Sequence, residues 1–278
     1  MWEFAKMHGL GNDFIVINGM AQDSAVDYLA LARRLCDRHF GVGADGLLVV
    51  LPAAQADIGM RIINADGSEA QMCGNGIRCF AKYVYEKGLI AKESFTVATL
   101  AGPIIPELIR RRDKVAAVRV NMGKPRLRRS ELPMSGPDGP VIDEALPVAG
   151  TVYRITSLLM GVPHTMIMVP DVGAIDPVRL GPAIEKHPVF PEGTNVNWVE
   201  VANDREIKVR TWERGAGSTL ACGTGSCAAA VATALNGRTG RNVTVHLAGG
   251  DLDIEWAADD TVYMTGPAET ICEGRWLA

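Results

Sequence analysis

Residues 3–18 alternate apolar and polar positions as strands do, broken by a turn at HGLGND before the run FIVIN. From Asp27 to Arg38 the period changes: Leu31, Leu35 and the alanines share one face and predict a helix. Strands are predicted at LLVVL and at 57–64, the second delivering Asn64 to the turn ADGS. Over Gly74–Lys87, Ile77, Phe80, Ala81 and Val84 recur on one helical face, and Gly88 follows as a stop. Strands are expected at 94–100 and 115–121, and the proline- and glycine-dense stretch Leu132–Gly150 reads as a long loop or crossover.

The second part repeats this plan. Strands at 152–158 and 165–169 flank GVPH, helical character spans 176–186, and FPEGTN leads into the strand VNWVEV. A strand at 206–212 delivers Glu213 and Arg214 to a turn. The run Ser226–Leu235 is small and apolar on every side, which suits a helix buried all round, ended by Asn236-Gly237. Strands at 243–247 and 251–256 follow, and the tail VYMTGPAETICEGRW echoes VRVNMGKPRL.

The two parts share a motif, Cys-Gly-Asn-Gly from Cys73 and Cys-Gly-Thr-Gly from Cys222. The same offset of 149 pairs Arg61 with Arg210, Ala81 with Ala230 and Gly88 with Gly237, and it sets Asn64 opposite Glu213. Two structurally equivalent halves follow from this, residues 1–120 plus 266–278 and residues 121–265, the tail adding a strand to the first half. In each, a cysteine precedes the first turn of a central helix. There the free N–H groups and the helix dipole form an anion site and favour thiolate over thiol.

Composition narrows the partners. A length of 278, 47% apolar and 22% charged residues belong to a globular protein of two ordinary domains. The net charge of −4 gives no footprint for nucleic acid. No apolar run reaches the ~20 residues of a membrane span, and Glu3, Lys6 and Asn12 interrupt any signal-peptide pattern. Six cysteines in such a chain point to a reducing compartment, the cytoplasm, rather than to disulfides. Gly41–Gly46 spells the dinucleotide fingerprint, but a helix precedes it and a strand follows, so nucleotide binding is rejected there. The arginines at 110–112, 126, 128 and 129 read as solvated faces, and Cys36, Cys79, Cys227 and Cys272 as small core residues. No metal is expected, since the chain lacks a C-x-x-C pair and its histidines are scattered.

Halves placed about a pseudo-twofold axis would bring both cysteines to one cleft. One thiolate could then take an α-proton from one face of an amino acid while the other thiol returns a proton to the opposite face. That inversion needs neither metal nor pyridoxal cofactor. The competing reading is an amino-acid-binding or dithiol redox protein that inverts nothing.

The segments KMHGLGNDF, RHFGVGADGLL, NADGSEAQMCGNGIRC, GVPHT, FPEGTN and ERGAGSTLACGTGSCAA together resemble the diaminopimelate epimerases across nearly the whole chain. The resemblance implies an α/β fold of two similar domains, each a curled, mainly antiparallel sheet around a central helix. It implies a cofactor-free epimerase interconverting LL- and meso-diaminopimelate on the lysine and peptidoglycan route, with a small amino-acid substrate and a homodimeric state. It assigns catalysis to Cys73 and Cys222, the first donating and the second accepting in one direction, the roles exchanging in the other. Gly74, Asn75, Gly223 and Thr224 match a carboxylate cradle. Asn12, Asn64, Asn195, Glu213 and Arg214 match substrate contacts, and His164 and Glu213 match residues that influence the thiols. Val162 stands where many members have asparagine, and Gly46 where many have glutamine. A racemase or epimerase of proline, hydroxyproline or histidine is therefore the alternative.

Overall fold

The computed structural model describes residues 1–20 and 26–277. Its elements begin β1 (Trp2–Gly9), β2 (Asn12–Asn18), α1 (Tyr28–Leu35), β3 (Gly46–Leu51), β4 (Ile58–Asn64) and β5 (Glu69–Ala70). Next come α2 (Gly74–Glu86), β6 (Val97–Thr99), β7 (Gly102–Ile104), β8 (Pro106–Arg111) and β9 (Lys114–Asn121). The chain continues with β10 (Val141–Val148), β11 (Thr151–Met160), β12 (Val162–Met168), α3 (Pro177–Glu185), β13 (Asn195–Asn203) and β14 (Glu206–Glu213). Then follow β15 (Gly217–Thr219), α4 (Gly223–Leu235), β16 (Asn242–Leu247), β17 (Gly250–Trp256), β18 (Val262–Gly266) and β19 (Glu269–Trp276). Two compact units result, Met1–Asn121 with Thr265–Ala278, and Met122–Met264.

In the first unit a sheet runs β19-β1-β2-β3-β4-β6-β7, with β5 on β4, and β8 and β9 pair as an antiparallel hairpin. Its ladders are antiparallel except at β2–β3 and β4–β6, where a parallel pair needs a long return connection, supplied by α1 and α2. The Asp27 carboxylate caps α1 by accepting from Leu29 N and Ala30 N. The central helix α2 is buried from Asn75 to Val84 and packs on β1, β2, β3, β8 and β9. Two cations sit inside that packing, and both are satisfied. Lys82 donates to Val115 O and pairs with Glu86, while Arg78 donates to Pro267 O, Gly74 O and the Asn75 side chain.

The second unit repeats the path as β10-β11-β12-β13-β14-β16-β17-β18, with β15 on β14 and parallel pairs at β12–β13 and β14–β16. The repeat holds to the residue. Leu47 pairs with Ile63 and Val49 with Arg61; 149 positions on, Val196 pairs with Trp212 and Trp198 with Arg210. Helix α4 is buried from Ser226 to Thr233, its alanines letting β11, β12, β13, β14, β16 and β17 close around it.

Four expectations change. A strand, β10, forms inside the stretch expected to be loop: Val148 pairs with Thr151 across a two-residue turn whose Ala149 and Gly150 take φ of 48° and 83°. Pro147 is tolerated because β10 ends the sheet's strand order. Arg129 is not solvated; it is buried, bonded to Glu144 and Ser135 O. Cys272 is exposed rather than core, on the outer strand β19. Helix α4 starts at Gly223, because the glycine-rich motif itself enters the first turn.

Candidate functional site

Each unit carries a cysteine at the head of its central helix. Cys73, at φ −142° and ψ 120°, is the N-cap of α2, and its sulfur accepts from Gly76 N at 3.4 Å. Asn12, the first residue of β2, faces it. The Asn12 amide nitrogen is taken by Asp45 at 2.7 Å, which turns its oxygen toward the helix head. That oxygen accepts from the Cys73 sulfur at 3.7 Å and from Asn75 Nδ2 at 3.3 Å. Asp45 is fixed in turn by Arg38, which also reaches Asp13. Burial pushes the Asp13 carboxyl up, but hydrogen bonds from Arg38 and Lys6 outweigh it and hold the group below the usual range. The Gly41–Gly46 segment thus delivers Asp45 to Asn12. Asn64 ends β4, exposed, its amide donating to Ser68 Oγ at 2.9 Å.

Cys222 caps α4 with φ −125° and ψ 111°, and it is 5% exposed. Its sulfur lies 3.6 Å from Thr224 Oγ1. Thr224 Oγ1 lies 3.0 Å from His164 Nε2, and Asn197 Nδ2 donates to His164 Nδ1 at 3.2 Å. Burial pushes the Cys222 thiol well up, and the Glu213 carboxylate pushes it the same way; the Thr224 hydroxyl and Gly225 N–H pull against them. Burial thus works against the thiolate that a helix head favours. Glu213 ends β14 and is held by the Thr219 hydroxyl at 2.7 Å. Asn195 accepts from Arg214 N at 2.7 Å, and the Arg214 guanidinium donates to Glu192 O. Val162 is exposed at the start of β12.

The structure therefore groups Asn12, Cys73 and Asn75 in one unit, and His164, Cys222, Thr224 and Glu213 in the other. Asp45 and Asn197 are not singled out by the sequence. A polar residue at an inward position of a strand, as Asn197 is in VNWVEV, was the available signal. Cys36 and Cys79 are pushed up to about 12 by burial, as inert core thiols are. Among the described residues no group of three or more His, Cys, Asp or Glu could hold a metal ion.

A sequence profile described as "Diaminopimelate epimerase" matches residues 4–128 and 156–271. The curated diaminopimelate epimerase of Pelotomaculum thermopropionicum is 56% identical over 274 residues, covering 98% of each chain. That of Moorella thermoacetica is 56% identical over 272 residues, again covering 98% of each. Among solved structures, a Bacillus anthracis phenazine biosynthesis protein of the PhzF family superposes with a TM-score of 0.72 at 14% identity, covering 100% of this chain and 99% of its own. At that identity the likeness speaks for the fold alone.

Proposed function

This chain belongs to the diaminopimelate epimerase family, and we propose that it interconverts LL- and meso-2,6-diaminopimelate with two thiols and no cofactor. Relatives at 56% identity do not favour another amino acid as substrate. The observation that carries the two-thiol reading is the duplicated helix head: a cysteine with extended backbone caps a 13-residue helix in each unit.

The free N–H groups of Gly74 and Asn75, and of Gly223 and Thr224, are suited to a substrate carboxylate. Such donors matter because the α-proton is weakly acidic and the developing anion must be stabilised as it forms. The reading requires both sulfurs to reach one α-carbon of bound substrate. In one direction the Cys222 thiolate takes the α-proton and becomes a thiol, and the Cys73 thiol gives its proton to the opposite face and becomes a thiolate. The other direction exchanges the roles.

In the free protein Glu213 and burial keep Cys222 protonated. A substrate ammonium beside Glu213 would cancel that carboxylate's charge, leaving the Thr224 hydroxyl and Gly225 N–H to stabilise the thiolate. Asn12, Asn64, Asn195 and Arg214 are assigned to the polar ends of the substrate. The six free cysteines fit a reducing cytoplasm, and a homodimer is the working form we assign. Among the described residues no helix is long and apolar enough to cross a membrane.

The test is solvent-deuterium incorporation at the α-carbon of diaminopimelate. Wild-type protein is expected to incorporate deuterium and invert the centre. Cys73→Ala and Cys222→Ala are each expected to lose inversion by ~10³-fold or more while keeping the fold. Normal turnover in either variant would remove the two-thiol assignment.

A further inference from the structure

The two units differ behind their helix heads in one matched set of three side chains. In the first, Phe14 pairs with Gly46 and Leu48 with Ile62. At the equivalent places in the second, His164 pairs with Asn195 and Asn197 with Thr211. All six are buried, none more than 4% exposed. An apolar triple in one unit is thus a polar triple in the other at equal depth. Burying polar groups is costly unless each finds a partner, and these form an unbroken line.

The line has a direction. The Thr211 hydroxyl donates to Asn197 Oδ1 at 2.9 Å. The Asn197 nitrogen then faces His164 Nδ1, with Asn195 O at 3.5 Å and the Met166 sulfur at 3.9 Å on the same side. An amide oxygen turned that way would meet a carbonyl and a thioether, so the nitrogen belongs there. His164 Nδ1 is consequently an acceptor, and in the neutral ring Nε2 carries the hydrogen and donates to Thr224 Oγ1. Thr224, its oxygen already accepting, keeps its own hydrogen for the Cys222 sulfur at 3.6 Å. The charged groups facing this line are Glu213, beside Cys222, and Arg214, which acts on His164.

We propose that Thr211 and Asn197 are positioning residues that lock His164 in its Nε2–H tautomer, so that Thr224 always donates to Cys222 and stabilises its thiolate. At the equivalent places behind Cys73 stand Phe14, Leu48 and Ile62. The inference rests on the reading of Cys222 as a reacting thiol.

Three measurements test it. Nitrogen-15 NMR of unmodified, labelled protein is expected to show His164 neutral and protonated on Nε2; a hydrogen on Nδ1 would overturn the proposal. Iodoacetamide labelling against pH, read by mass spectrometry at each cysteine, follows the thiolates separately. The double variant Asn197→Leu/Thr211→Ile installs the first unit's pair. It is expected to move the Cys222 profile up by about one pH unit, leave Cys73 unmoved, and lower kcat on the order of 10-fold with little change in KM. Thr211→Ser, which keeps the hydroxyl, is expected to behave as wild type.

In a Thr224→Val background, Asn197→Leu should shift the Cys222 profile no further, whereas an equal shift in both backgrounds would sink the line. The NMR result and Thr211→Ser stand even where the double variant does not fold. Failure of the two-thiol reading would show separately, as inversion persisting in Cys222→Ala.

Discussion

The heads of α2 and α4 share a backbone frame and differ in what surrounds the sulfur. Cys73 is half-buried, beside an outward network in which Arg38, Asp13 and Asp45 fix the amide of Asn12. An oxygen acceptor is what that network offers to the thiol, which suits a proton donor. Cys222 is buried against a neutral line that ends in a hydroxyl donor, which suits a proton acceptor. In the proposed reaction, matched geometry with opposite hydrogen-bond polarity would give two chemically identical groups unlike roles once substrate is bound. The proposed two-thiol inversion would ask for that, since its pair holds one proton between them at each end of the reaction.

The comparison can be broken most strongly at two equivalent glycines. A methyl group on Gly225 would stand 2.6 Å from Asn197 Oδ1 and 3.2 Å from the Cys222 sulfur. On Gly76 the nearest atoms would be 3.4 Å away. Gly225→Ala is therefore expected to destabilise by about 1–3 kcal/mol. Gly76→Ala should be neutral or gain up to ~1 kcal/mol from helix propensity. Thermal unfolding of the two variants compares them directly, and equal melting points would contradict the asymmetry.

A smaller effect is expected from Asp45→Ala, which frees the Asn12 amide to turn. It should lower kcat on the order of 10-fold and leave the Cys222 labelling profile in place. A shift at Cys222 instead of Cys73 would refute the separation of the two networks.

The mildest effect concerns pH. Burial first, and Arg214 second, lower His164 to about 3 from an ordinary 6.5. The unfolded chain takes up a proton that the folded protein refuses between those values. Stability therefore falls as pH drops from 6.5 toward 3, and this contribution is absent above 6.5. His164→Phe, the first unit's residue, should flatten that part of a melting-temperature profile; an unchanged slope would remove His164 as its source.

Much of this was legible in the sequence because it is carried by repetition and by backbone requirements. The spacing of Cys73 and Cys222 located both helix caps, and the shared offset placed Asn64 and Glu213 at equivalent strand ends. What escaped depends on packing between elements distant in the chain. Asn197 and Thr211 look like incidental polar residues in apolar strands until the β13–β14 register puts them side by side. Arg129 reads as surface until Glu144 is found against it. Strand β10 was hidden by prolines and glycines whose cost vanishes at a sheet edge with a turn that needs positive φ. The raised Cys222 thiol escaped for a similar reason, as a motif reports the dipole but not the depth.

One contact sets a timetable for the molecule's assembly. Buried Arg78 holds Asn75 at the head of α2 while donating to the carbonyl of Pro267, and β19, which follows, supplies a neighbour for β1. The half built from one uninterrupted stretch, 122–264, leaves the ribosome whole before the other half's last strand is made. The half bearing Cys73 must keep its opening residues waiting through the whole of the other's synthesis. A product stalled before β19 would thus meet chaperones with the edge of β1 uncovered.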